Sequence, residues 1–185
     1  MQLQHALKEW SVAVEALAQG KTSILLRKGG IRETGGKFSV PHQQVLLYPT
    51  FEHQRPELLK PDYQDQVQPV ASGWHPETVT LNAWATIEQV EQVQDTERVQ
   101  ALLPLHIWNE QFITERLRWK PKIPLYVLLL RVYALPQSTA IPWNPTYGGC
   151  RSWIEVPVAD VSHAQPVLTD AAYRQQQQAL TEVLA

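Results

Sequence analysis

Residues 79–90 read Val-Thr-Leu-Asn-Ala-Trp-Ala-Thr-Ile-Glu-Gln-Val. Val79, Leu81, Ala83, Ala85 and Ile87 alternate with polar or larger residues, the two-residue period that puts one set of side chains on one side of a strand. The pattern predicts a long, half-buried strand with those five residues on a single face. A second strand is expected over Leu125 to Leu135, where Tyr126, Leu128, Leu130 and Val132 share one face and Val127, Leu129, Arg131 and Tyr133 the other. Its aliphatic, β-branched content suits the centre of a sheet. Arg131 points the same way as two apolar neighbours, close to buried surface. Between these strands, Asp95 is placed to cap a helix running to about Leu103. Asn109 caps another to about Trp119, which Pro121 and Pro124 end.

Outward from this centre the elements are shorter. Leu3, Leu7, Trp10, Val14 and Leu17 recur at a 4-3-4-3 spacing that predicts an opening helix, with Gly20 as its C-terminal glycine. Trp10, Val12 and Val14 also alternate as in a strand, and the five-position match favours the helix. Thr22 to Lys28 reads as a buried strand ended by Gly29-Gly30, and Val45 to Tyr48 as another. Phe51 to Gly73 is polar and proline-containing, a short helix near Glu57 to Leu59 followed by a surface loop. A last strand is expected over Cys150 to Val156, and Asp170 caps a terminal helix to Leu184. About five strands and four helices, with no regular βαβ alternation and no Rossmann glycine pattern, predict one α+β domain over residues 1–185. Its sheet is expected to be mixed or antiparallel and curled into a small barrel.

Composition narrows the function classes. With 16 basic and 18 acidic residues among 185, the net charge of -2 excludes a uniformly basic nucleic-acid coat and leaves room for a local basic patch. One cysteine, Cys150, excludes an internal disulfide framework and a multi-cysteine zinc site. Met1 to Leu7 lacks a signal pattern, and no apolar run approaches the ~18 residues of a membrane span. A cytoplasmic protein without membrane contact is expected. No cofactor or metal is indicated, because the histidines show no HxH or HExxH spacing. The oligomeric state is not legible.

Several residue groups carry candidate chemistry. Arg27, Lys28, Gly29, Gly30 and Arg32 place three cations around two glycines at a strand end, where backbone N–H groups can approach a phosphate. The GxxxxGK[ST] pattern is absent, so this is no P-loop, and a charged β-turn is the plainer alternative. Trp108, Arg116, Arg118, Trp119, Lys120 and Lys122 interleave rings and cations, with Trp143, Arg151 and Trp153 further on. Such mixtures suit single strands, because rings stack on bases while cations meet phosphates. Packing of the same tryptophans in the core is the alternative. His42 and His53 flank the strand expected over Val45 to Tyr48, and Glu52 adjoins His53.

Taken together, the blocks LKEWSVAVEALAQGKTSILLRKGGIRE, LLYPTFEHQ, HIWNEQF, RLRWKPKIPLYVLLLRVY and YGGCRSWIEV resemble a bacterial family, frequent in cyanobacteria, defined as a domain of unknown function. Relatives beside restriction-type nuclease domains imply a link to nucleic acid or phage defence. The run from Ala18 to Arg27 is also similar to the opening of PUA-like domains of the ASCH type, a helix followed by a GxKxxExR strand. Gly20 and Arg27 match that pattern, while Thr22 stands at its lysine and Leu25 at its glutamate. This resemblance implies a small β-barrel that binds RNA, nucleotides or modified bases.

Three functions follow as expectations. The first is a binding domain for nucleic acid, a nucleotide or a modified base. In it Arg27, Lys28, Gly29, Gly30 and Arg32 meet phosphate, Trp108, Trp119 or Trp153 stack a base, His42 or His53 supplies a polar edge, and Arg131 is a further ligand-binding residue. The second is a small nucleotide- or nucleic-acid-processing hydrolase with Lys21, Glu52 or His53 as acid–base groups. The third is a protein-interaction module.

Overall fold

The structure is a computed structural model, and it describes residues 1–28 and 38–185. Among the described residues it is an α+β arrangement of seven strands and five helices. In chain order these are β1 Gln2–Trp10, α1 Ser11–Ala18, β2 Ile24–Arg27, β3 Gln44–Thr50, α2 Pro61–Gln64, β4 Thr78–Val93, α3 Thr96–Ala101, α4 Glu110–Arg118, β5 Leu125–Pro142, β6 Trp153–Asp160, β7 Gln165–Pro166 and α5 Asp170–Leu184. The sheet order is β2-β5-β4-β3-β1-β6, with β7 also pairing β5. β1 and β3 run parallel and the other pairs are antiparallel.

The opening segment departs from the helix expected over Leu3 to Leu17. Residues 2–10 form a strand and the helix starts only at Ser11. The cause is burial on both sides. Ala6 packs into one apolar cluster and Leu7 into the other, so residues 6–9 are all buried and the segment shows no alternation. The end of α1 follows its local chemistry. Gly20, at φ +68°, lets its own N–H donate to Leu17 O at 3.0 Å and Lys21 N–H donate to Ala16 O at 2.9 Å, the paired bonds of a Schellman stop.

The expected single face of β4 is also divided. Val79 and Leu81 pack in the second cluster, whereas Ala83, Ala85 and Ile87 pack in the first. Between Leu81 and Ala83 the partner on β5 jumps from Thr139 to Ala134, and this irregularity exchanges the faces. β5 is buried on both sides from Leu125 to Val132. The Asp95 and Asn109 caps form as expected, accepting from Arg98 N–H at 2.8 Å and Phe112 N–H at 3.1 Å. At the terminal helix, however, the cap is Thr169, whose hydroxyl accepts from Ala172 N–H at 3.2 Å. Asp170 instead pairs with Arg131.

The first cluster lies between the sheet and helices α1, α3, α4 and α5. The second collects Ala6, Leu46, Tyr48, Val79, Leu81, Ile141, Ile154 and Val156. It thus joins β1, β3 and β6 to the outer halves of β4 and β5, so the sheet curls around it. The curl brings the two ends of the hydrogen-bonded order together. β2 lies at one end and β1 beside the other, yet Arg27 of β2 forms an ion pair with Glu9 of β1 at 2.7 Å. The same guanidinium donates to Lys8 O at 3.1 Å and to Ser152 Oγ, just before β6, at 2.7 Å. A side-chain seam closes what the backbone ladder leaves open.

Removing one partner from a largely buried pair strands the other charge, at a cost of up to about 3–5 kcal/mol. Glu9→Ala and Arg27→Ala should each lower urea stability by about that much, and the double alanine variant by clearly less than their sum. Additive losses would mean that the two groups are not coupled. His106, 3% exposed, gives a second expectation, for acid. Burial, then the Lys60 ammonium, push its ring down to about 3 from an ordinary 6.5. Between those values the unfolded chain binds a proton that the folded one refuses. This contribution to stability is therefore intact above pH 6.5 and lost as the pH falls toward 3. His106→Phe should flatten that limb of the stability–pH curve; an unchanged limb would assign the acid sensitivity elsewhere.

Candidate functional site

The parallel pairing of β1 and β3 aligns Lys8 with Tyr48, Glu9 with Pro49 and Trp10 with Thr50, so both strand ends open on the same side. There, beside the seam, lies a cleft of ≈ 750 Å³. Its walls are the ends of β1, β2 and β3, the segments 50–53 and 73–76, helix α4, and the segment 143–152. Among the described residues five cations line it, Lys8, Arg27, Lys28, Arg116 and Arg151, against two carboxylates, Glu9 and Glu52.

Most of these charges hold the walls in place. The Lys8 ammonium donates to Tyr147 O at 2.5 Å and Gly149 O at 2.9 Å, fixing the 147–149 turn. Burial lowers its pKa, with the nearby Arg151 adding to the effect. Glu9 also accepts from Trp10 N–H at 2.8 Å, and Thr50 Oγ1 donates to Glu9 O at 2.9 Å. Lys28 donates to Arg116 O at 2.6 Å, so a cation sits on the last carbonyls of α4, where the helix dipole favours one. Burial, then Arg116, lower its pKa. Arg55 forks onto Glu115 at 2.6 and 3.2 Å and anchors the outer side of the same helix. Glu52 accepts from Gly73 N–H, tying the 73–76 wall to the end of β3.

The aromatic lining is dense. Trp108, 1% exposed, forms part of the floor and stacks on Phe112 with ring centres 4.9 Å apart. Tyr48 and Tyr147 meet edge to face at 5.7 Å, and burial, then Tyr147, push the Tyr48 hydroxyl up to about 12. His75 stacks on Trp143 at 3.3 Å. Trp74 and Trp119 keep 44% and 38% of their surface exposed, and so are the most exposed indoles of the cleft.

Of the residues singled out in the sequence, Arg27, Lys28, Glu52, His53, Trp108, Arg116, Trp119, Trp143 and Arg151 line this cleft. Gly29, Gly30 and Arg32 fall outside the described residues. The others lie elsewhere. His42 stacks on His5 at 3.6 Å, and burial, then His5, lower its pKa. Trp153 donates from Nε1 to Ser39 O at 3.0 Å and packs on Phe38. Arg131 pairs with Asp170 at 2.6 Å with its guanidinium over Tyr173. Lys21 is exposed at the end of α1, so Lys21, Glu52 and His53 do not share the cleft lining. Among the described residues, no three His, Cys, Asp or Glu side chains cluster to hold a metal ion. No helix among them is long and apolar enough to cross a membrane.

Lys8, Glu9, Tyr48, Thr50, Trp74 and Tyr147 also line the site without having been singled out. One signal was available for the first two. Read as a strand, residues 2–10 put Glu9 on the face of buried Leu7, and a carboxylate there needs a cation.

No curated protein matches the chain. Among solved structures it is similar to a single-substitution variant of the ASCH protein of Zymomonas mobilis, at 13% identity and a TM-score of 0.47, covering 95% of this chain and 96% of that one. The ASCH protein itself matches at 14% identity and a TM-score of 0.45, over 96% and 93% of the two chains. A second variant matches at 15% and 0.41, over 95% and 94%. A family described as a domain of unknown function, DUF1802, matches residues 6–179, from within β1 to within α5, and the chain belongs to that family.

Proposed function

We propose that the cleft binds a nucleotide unit, a phosphate beside an unpaired base, either free or within a single strand. One observation carries this reading. In a chain of net charge -2, five cations against two carboxylates, among the described residues, line a single cleft that also presents the exposed indoles of Trp74 and Trp119. Cations attract phosphate, and an exposed indole offers a face to any base. A duplex keeps its bases stacked, so the indole faces favour an unpaired one. The volume of ≈ 750 Å³ lies within the roughly 300–1,000 Å³ typical of small-ligand sites. Arg27 and Lys28 serve this reading mainly as wall-builders, since their donors are already engaged by Glu9, Ser152 and the end of α4.

Titration with labelled U8 and dT8, and separately with AMP and GMP, at two salt concentrations tests the reading. Binding should quench tryptophan fluorescence and weaken with salt. Arg151→Glu, at the exposed rim, should shallow the salt dependence for the oligonucleotides by about 0.7 for each phosphate no longer neutralised. Trp74→Ala should weaken oligonucleotide binding by roughly fivefold or more. Oligonucleotide binding alone would identify the strand as the ligand, and mononucleotide binding alone the free nucleotide. Absence of quenching and of binding with both at low salt would rule the reading out.

A further inference from the structure

Within that reading, on which this inference rests, the cleft cations differ in what they have left to offer. Lys8 is held by two carbonyls, Arg27 by a carboxylate, a carbonyl and a hydroxyl, and Lys28 by the end of α4. Arg151 is exposed and makes one long contact, 3.5 Å from Nη1 to Thr146 O. Arg116 is different. It is half-buried, its guanidinium lies 4.9 Å from the centre of the Phe112 ring, and among the described residues none accepts a hydrogen bond from it. Burial lowers its pKa, with Arg27 acting in the same direction and Glu9 and Glu115 opposing. A guanidinium taken partly out of water with its fork unfilled is set to receive an oxyanion, and Phe112 beneath it limits how its plane can turn.

Three residues on from Arg116 stands Trp119, the residue that closes α4, its N–H still donating to Glu115 O. Phe112, Arg116 and Trp119 all line the cleft, so α4 and the residue that closes it present a stripe of ring, cation and ring. The Lys120 ammonium lies 4.6 Å from the centre of the Trp119 ring, yet the residue keeps 38% of its surface exposed, enough for a base to lie on. Side chains three positions apart on a helical turn start about 5–6 Å apart, the order of the separation between a nucleotide's base and its own phosphate. We propose that α4 is the nucleotide-reading element of the cleft, Arg116 taking two phosphate oxygens through its fork and Trp119 stacking the base of the same nucleotide. The ligand it fits is a nucleotide with a free base face and an accessible phosphate.

The test compares wild type with Arg116→Lys, Arg116→Gln, Trp119→Phe and Trp119→Ala in binding to U8 and AMP, with inorganic phosphate as competitor. Thermal melts confirm that each variant is folded. Both Arg116 variants should lose roughly tenfold or more in affinity, because lysine keeps the charge but not the fork. Only Arg116→Gln should also shallow the salt dependence, by about 0.7 for the strand. Trp119→Phe should stay close to wild type, and Trp119→Ala should lose roughly fivefold or more together with much of the quenching. Phosphate should compete with AMP on wild type but not detectably on Arg116→Gln. If wild type binds and the Arg116 variants bind equally well, α4 is not the reader although the cleft remains a nucleotide site. If wild type binds neither ligand, both conclusions fall.

Discussion

The ion pair between Glu9 and Arg27 is the contact on which the architecture turns. Backbone hydrogen bonds carry the sheet from β2 through to β6, but nothing in that ladder fixes how tightly it curls. Arg27 supplies the missing constraint by reaching from β2 to β1 and to the residue before β6. Two buried charges are expensive to desolvate, and their mutual attraction with further hydrogen bonds offsets most of that cost. Hydrophobic pairs would have closed the seam with less specificity of position. A guanidinium with three defined acceptors sets the spacing of the strand ends, and the cleft takes its shape from that spacing.

The last residue of β2 and the one that follows it have divided the labour. Arg27 ties the sheet to itself, and Lys28 ties the sheet to the end of α4. The helix is thus held at its N-terminus by the Asn109 cap, along its outer side by Arg55, and at its C-terminus by Lys28. With both ends and one flank secured, the inner flank is presented to the cleft in a fixed orientation. Rigid placement of this kind reduces the entropy lost when a ligand is bound.

Local signals in the sequence were reliable where the structure they specify is local. The Gly20 stop and the Asp95 and Asn109 caps depend on residues within a turn of themselves, and all three form. The terminal cap falls one residue early, at Thr169, because Asp170 is taken by Arg131. The misread opening strand has its origin in burial on two sides. The segment 2–10 packs Ala6 one way and Leu7 the other, so its hydrophobic pattern has no two-residue period, and the regular spacing of Leu3, Leu7, Trp10, Val14 and Leu17 suggests a helix instead. That misreading hid Lys8 and Glu9, because charged residues on a helix pass as solvated. The exchange of faces at Asn82 was equally illegible, since it depends on how β5 pairs and not on β4 itself. Tryptophan alone does not separate the floor of a site from its rim. Trp108 and Trp119 stand 11 positions apart in one stretch, and only packing against Phe112 and the sheet buries the first.

The neighbours of β1 also order the events of synthesis. Gln2 pairs with Asp160, and Lys8 N–H donates to Ser152 O, so β1 is completed by a strand made about 150 residues later. At translation rates of about 5–20 residues per second, roughly 7–30 seconds separate the two. During that interval β1 has an unpaired edge, and the cleft has no wall along residues 147–152. Lys8 and Glu9 sit on that waiting strand, where charge discourages pairing with other nascent chains. The residues that later build the seam thus also guard the edge that must wait for it.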